Sequence, residues 1–105
     1  MSDFVTVAQI SEMPPSGKLC VEVDDRFVVV FKVEDEYFCI DDVCSHDGGP
    51  LGEGELTGFC IACPRHGAQF DIRTGEALTM PATEPTASHE VRIEGTEIQV
   101  KLSDA

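Results

Sequence analysis

The sequence predicts an all-β domain in which an antiparallel sheet forms a base and a loop-rich subdomain is inserted into it. Three observations point there. Short apolar segments of strand length recur between Asp, Glu and Gly turns, with little helical periodicity. The stretch from Asp42 to about Pro85 is instead rich in Gly and Pro. After it, alternating apolar residues resume and run almost to the end of the chain. At 105 residues the chain reads as one domain, with base strands in about 1–41 and 86–105 and the inserted subdomain in about 42–85. A domain of this size buries roughly two-thirds of its unfolded surface, so its core is real but small.

The elements follow in order. Phe4 to Val7 reads as a first strand, and Ala8 to Met13 as one helical turn that Pro14-Pro15 stops. Leu19, Val21 and Val23 alternate with Cys20 and Glu22, the period of a half-buried strand. Asp24-Asp25 turns the chain into Phe27-Val28-Val29-Val30-Phe31, which is apolar on both faces and so reads as a central strand. Glu34-Asp35 turns it again into Tyr37 to Ile40. Within the inserted part, Phe59 to Ala62 and Ala68 to Ile72 are short strands, and Arg73-Thr74-Gly75 is a hairpin turn. Val91, Ile93, Ile98, Val100 and Leu102 mark a last hairpin around Glu94-Gly95-Thr96, after which Ser103 to Ala105 should fray.

Charge narrows the partners. With 20 acidic and 7 basic residues the net charge is −13, so nucleic acid and anionic membranes should repel this surface. A partner with a basic docking face is the natural fit; the alternative is that the acidity only keeps the protein soluble. Met1 to Ile10 carries Asp3 and no basic residue, unlike a secretory signal, and the longest apolar run falls far short of the ~20 residues a membrane span needs. Five Cys without an export signal point to thiols and metal ligands in the cytoplasm rather than disulfides.

Two loops carry the chemistry: Cys44-Ser45-His46 and Cys63-Pro64-Arg65-His66. Each offers one thiolate and one imidazole, and sixteen residues lie between His46 and Cys63, enough for a strand or two that turns the loops face to face. Zinc fingers usually pair like with like, whereas both loops here are mixed. If the loops approach with the same polarity, both Cys fall on one side of the gap and both His on the other. That suits a two-iron, two-sulfide cluster with a Cys pair on one iron and a His pair on the other. Asp47-Gly48-Gly49-Pro50 supplies turn residues where the backbone must fold tightly.

With these loops the chain resembles the Rieske family, and more closely its small soluble ferredoxins. The resemblance rests on Cys44-Ser45-His46-Asp47-Gly48-Gly49-Pro50-Leu51 and Cys63-Pro64-Arg65-His66-Gly67 and covers most of the chain. It implies a Rieske (ISP-like) fold and one [2Fe-2S] cluster held by Cys44, His46, Cys63 and His66. It also implies a one-electron carrier between a flavin-dependent reductase and a terminal oxygenase, not a catalyst in itself. Neutral imidazole adds no negative charge, so the extra electron should sit on the His-ligated iron. Both His are then expected near the surface and both Cys inside. Pro81-Ala82-Thr83-Glu84-Pro85 resembles the proline loop that covers the cluster in this family. Respiratory Rieske proteins carry a Ser and a Tyr that donate hydrogen bonds to the sulfurs, where this chain has Ala68 and Phe70. They also carry an extra Cys in each loop, where this chain has Gly49 and Arg65. Both departures imply a potential near the low end of the roughly −150 to +300 mV Rieske range.

Other readings remain open. A structural zinc site accepts the same four ligands but leaves the glycines and the proline loop unexplained, and some Rieske-like domains hold no metal at all. Cys60-Ile61-Ala62-Cys63 has the spacing of a thiol redox motif, in a strand context that does not suit one. Cys20 and Cys39 read as packing residues, His89 as an isolated surface or strand-edge residue, and Arg65 as a solvated side chain or a partner contact. The chain could also be a subunit or accessory protein of another redox enzyme, like the small subunit of nitrite reductase, or serve iron–sulfur assembly. A redox or iron sensor is a third class.

Overall fold

The structure is a computed structural model that describes residues 4–42, 52, 54–63, 67–78 and 86–102. Among these residues the strands are β1 (Val5–Gln9), β2 (Lys18–Val23), β3 (Arg26–Val33), β4 (Glu36–Asp41), β5 (Leu56–Thr57), β6 (Cys60–Ala62), β7 (Gln69–Asp71), β8 (Ser88–Glu94) and β9 (Glu97–Lys101). They form a six-stranded sheet, order β1-β9-β8-β4-β3-β2, and a three-stranded sheet, order β5-β6-β7. Every described pairing is antiparallel, and the all-β reading holds.

Turn chemistry sets the register of the first hairpins. Asp24 and Asp25 both adopt positive φ, 49° and 65°, and join β2 to β3 where Val23 faces Arg26. Asp tolerates the left-handed region better than most residues, and two such residues in succession match the twist of the flanking strands. The helical segment is shorter than the sequence suggests. Strand β1 continues to Gln9, and only Ile10–Glu12 forms a 3-10 turn. Thr6 to Ala8 carries a register irregularity against β9, which bends that edge strand.

The apolar run in β3 has a physical reason. Val28 and Val30 point into one core with Ala8, Val23, Cys39, Ile98 and Val100. Those residues come from strands at both edges of the six-stranded sheet, so the sheet curls around this core. Val29 and Phe31 point to the opposite face, into a second core with Ile40, Ile61, Cys63, Ala68, Phe70 and Ile72. Strand β3 is therefore buried on both faces, and the second core cements the small sheet onto the large one. Two details depart from expectation. β3 lies next to the β2 edge rather than mid-sheet, and Phe27 at its start is 63 % exposed.

Two other side chains also sit differently from their sequence readings. Cys39 is buried as expected, but Cys20 is exposed. Leu19, Val21 and Val23 take the inward face of β2, which leaves Cys20 with Glu22 on the other. His89 is not a surface residue: its side chain is fully buried, facing Cys39 across the β4–β8 pair and in contact with Asp41.

Candidate metal centre

Cys44, His46 and His66 lie outside the described residues, as do Gly49, Arg65, the Asp47–Pro50 turn and the Pro81–Pro85 loop. Cys63 is described, and so are the residues from which all three loops spring. Among the described residues, no three His, Cys, Asp or Glu side chains gather around a metal-sized site.

The second loop starts from β6 and returns to β7. Ile61 faces Phe70 and Ala62 faces Gln69, so the hairpin points Cys63 and Ala68 the same way beyond the strands. The Cys63 N–H donates to the Ala68 carbonyl at 2.6 Å, and the Gly67 N–H donates to the Cys63 carbonyl at 2.9 Å. These bonds clasp the loop at its base. Cys63 is 2 % exposed and packs in the core shared by the two sheets, with Ala68 and Phe70 beside it.

The first loop springs from the end of β4. Side chains alternate there. Ile40 faces the shared core, Asp41 faces the other way, and Asp42 follows just past the strand end. The Asp42 N–H donates to the Phe27 carbonyl at 2.9 Å, fixing its backbone to β3. Its carboxylate accepts from the Gly52 N–H at 2.6 Å, on the far side of the loop.

The third loop, residues 79–85, leaves from Leu78 and returns at Thr86. The Leu78 N–H donates to the Gln69 carbonyl at 2.7 Å, next to the foot of the second loop. The Thr86 N–H donates to Gly75 at 2.8 Å, and the Asp41 N–H donates to Ala87 at 2.9 Å, next to the foot of the first. Gly75 is required at this crossing: its φ is +81°, and a Cβ would lie 2.0 Å from the Thr86 carbonyl oxygen. The three loops thus share one hydrogen-bonded platform, although their feet are far apart in sequence.

Electrostatics separates the thiols. Burial pushes the Cys39 thiol up to about 12, with the Asp41 charge adding and Arg26 opposing, so it stays protonated inside the core. Burial and then the Asp71 charge also raise the Cys60 thiol, against a backbone hydrogen bond from Phe70. A redox-active Cys-x-x-Cys needs a depressed thiol, so Cys60 does not suit that motif. Asp71 itself is held below the usual carboxylate range by hydrogen bonds from Arg73, at 2.8 to 3.0 Å.

Among the described residues, Cys63 is the one expected ligand, and its chemistry fits an iron–sulfur cluster. A buried thiolate at Cys63 can hold a metal without exposing sulfur to water, and Ala68 and Phe70 beside it bring no hydroxyl donor. Asp42 was not singled out by its sequence context. Its signal was position: the residue between a strand end and the first ligand loop.

Residues 3–99 match the family described as the Rieske [2Fe-2S] domain. The biphenyl dioxygenase ferredoxin subunit of Pseudomonas sp. (strain KKS102) is 35% identical over 103 residues, covering 97% of this chain and 94% of that protein. The chain is similar in structure to the ferredoxin of carbazole 1,9a-dioxygenase from Nocardioides aromaticivorans IC177, with TM-score 0.90 and 31% identity, covering 95% of this chain and 98% of that one. It is also similar to a chain of the complex of reduced oxygenase and oxidized ferredoxin in carbazole 1,9a-dioxygenase, with TM-score 0.86 and 32% identity over 93% of this chain and 92% of that one.

Proposed function

The chain belongs to the Rieske [2Fe-2S] domain family, and from that premise we propose that it is the ferredoxin component of a ring-hydroxylating dioxygenase system. It is a one-electron carrier that passes electrons from a flavin-dependent reductase to a terminal oxygenase, and is not itself the catalyst. The observation that carries this reading is similarity to free-standing ferredoxins over nearly the whole of both chains. Its oxygenase partner follows from the relative solved together with its oxygenase.

The cofactor is one Rieske-type [2Fe-2S] cluster, which when bound supplies the one-electron couple. Cys44, His46, Cys63 and His66 are its four protein ligands. In support, Cys63 is buried in the core, and the feet of all three loops are joined by backbone hydrogen bonds. Residues 42–85 are the cluster-binding part, carried on a base made of residues 1–41 and 86–105. The small sheet lies within the first range, and the large sheet is built from the flanking strands. Among the described residues no helix is long and apolar enough to cross a membrane. The working location is the cytoplasm.

The net charge of −13 suits a basic docking face on each partner. The test is cytochrome c reduction by NADH through a generic flavin reductase, with and without this protein, at rising salt. The protein should be required, and the rate should fall as salt screens the encounter. Reduction that proceeds equally well without it would remove the carrier role, and a rate indifferent to salt would remove the charge-guided docking.

A further inference from the structure

We infer that Asp42 is a positioning residue for the cluster: its carboxylate closes the first ligand loop and sets where Cys44 and His46 are presented. The inference rests on the cluster assignment above and adds to it a residue outside the four-ligand motif. Asp42 stands two positions before Cys44, and Gly52 lies just past the loop, so residues 43–51 lie between them. One residue holds both ends. The Asp42 N–H is tied to the Phe27 carbonyl at 2.9 Å, and the Asp42 carboxylate takes the Gly52 N–H at 2.6 Å.

Strand geometry aims this side chain. Asp42 directly follows the end of β4, and Ile40, two residues before it, packs in the same core as Cys63. Asp41, on the opposite face, is gripped by Arg26 at 2.9 Å and by His89 at 2.7 Å. The end of β4 is thereby anchored on one side while Asp42 reaches across on the other. The second loop is closed differently, by the backbone bonds between Cys63 and the Gly67–Ala68 pair. In the first loop, the Asp42 carboxylate bridges the two described ends.

Gly52 completes the clasp. A Cβ there would lie 2.3 Å from Cys20 Sγ and 3.2 Å from Asp42 Oδ1. Any larger residue there would have to displace the Cys20 side chain to keep the N–H on the carboxylate. Groups that orient metal ligands from behind tune a site nearly as strongly as the ligands themselves.

The test compares Asp42→Ala with Asp42→Asn in the cluster-loaded protein. Asn keeps a carbonyl oxygen that accepts the Gly52 N–H, whereas Ala removes the acceptor. Two readouts are used: the g-values and linewidths of the reduced cluster by electron paramagnetic resonance, and the rate of iron loss to a chelator. Asp42→Ala should broaden or shift the spectrum and lose iron about tenfold faster, the scale of one charge-assisted hydrogen bond. Asp42→Asn should stay close to wild type in both. A wild-type-like Asp42→Ala would overturn the inference, and so would an Asp42→Asn as impaired as Asp42→Ala. Wild-type protein that carries no labile sulfide is a separate failure, of the cluster assignment itself.

Discussion

His89 Nε2 lies 2.7 Å from Asp41 Oδ1, although the two residues are 48 apart in sequence. They sit on β8 and β4, which pair through Cys39 and His89, and the contact runs diagonally across that pair. The same carboxylate accepts from the Arg26 guanidinium at 3.0 and 2.9 Å. One acidic side chain therefore joins β3, β4 and β8 beneath the foot of the first ligand loop.

Removing it should loosen that junction. In Asp41→Ala the fully buried His89 side chain loses this hydrogen bond. A lost partner of this kind costs about 1–3 kcal/mol. At about 4–8 °C per kcal/mol for a domain near this size, the thermal midpoint of the loaded protein should fall by several degrees or more. Asp41→Asn, which keeps an acceptor oxygen, should fall less. Equal midpoints for wild type and Asp41→Ala would mean that the junction contributes nothing.

Ala68 offers the expected cluster no hydroxyl, which should keep its potential low. It is fully buried beside Cys63, with no hydroxyl to donate. Ala68→Ser should raise the reduction potential by about 60 mV, which corresponds to about 1.4 kcal/mol of preferential hydrogen bonding to the reduced cluster. Protein-film voltammetry measures this directly. An unchanged potential would remove the hydroxyl account of this position.

The Asp71–Arg73 pair gives a pH signature. Arg73 holds the Asp71 carboxyl below its ordinary range, so the pair's contribution is complete above about pH 4 and disappears as pH falls through the lowered folded value. The effect is small, because the Arg73 side chain is half exposed. Asp71→Asn should therefore shift the urea midpoint slightly downward at pH 6 and progressively less toward pH 3. A gap that is constant over that range would show that the carboxylate charge is not involved.

Cys39 should be silent to thiol reagents. Its thiol is buried and held near 12, so at pH 8 the folded protein should leave it unmodified by iodoacetamide, and denaturant should expose it. Mass mapping of the labelled peptides checks this. Rapid native labelling at Cys39 would contradict its place in the core.

Much of this architecture was legible because strand periodicity is a local signal. The unbroken Phe27–Phe31 run did mean burial on two faces, since Val28 and Val30 serve one core and Val29 and Phe31 the other. The same periodicity already placed Cys20 on the Glu22 side of β2, where it is exposed. Treating it as a packing residue overrode that signal. His89 could not be read so. A lone His between Ser88 and Glu90 has no spacing partner, and its contact to Asp41 exists only once β8 has paired with β4. Asp42 was hidden for a related reason, because its role depends on Gly52 returning beside it. The Cys and His of the two loops stood out because a mixed pair repeated once is a pattern in the sequence itself.

The most direct test of the cluster assignment is joint iron, labile-sulfide and zinc analysis on protein produced with ample iron and kept from air. Two irons and two sulfides per chain, with no zinc, are expected of a Rieske [2Fe-2S] domain. Replacing His46 or His66 by Cys should change the spectrum of the reduced centre. One zinc per chain with no labile sulfide, or a colourless protein holding no metal, would contradict it.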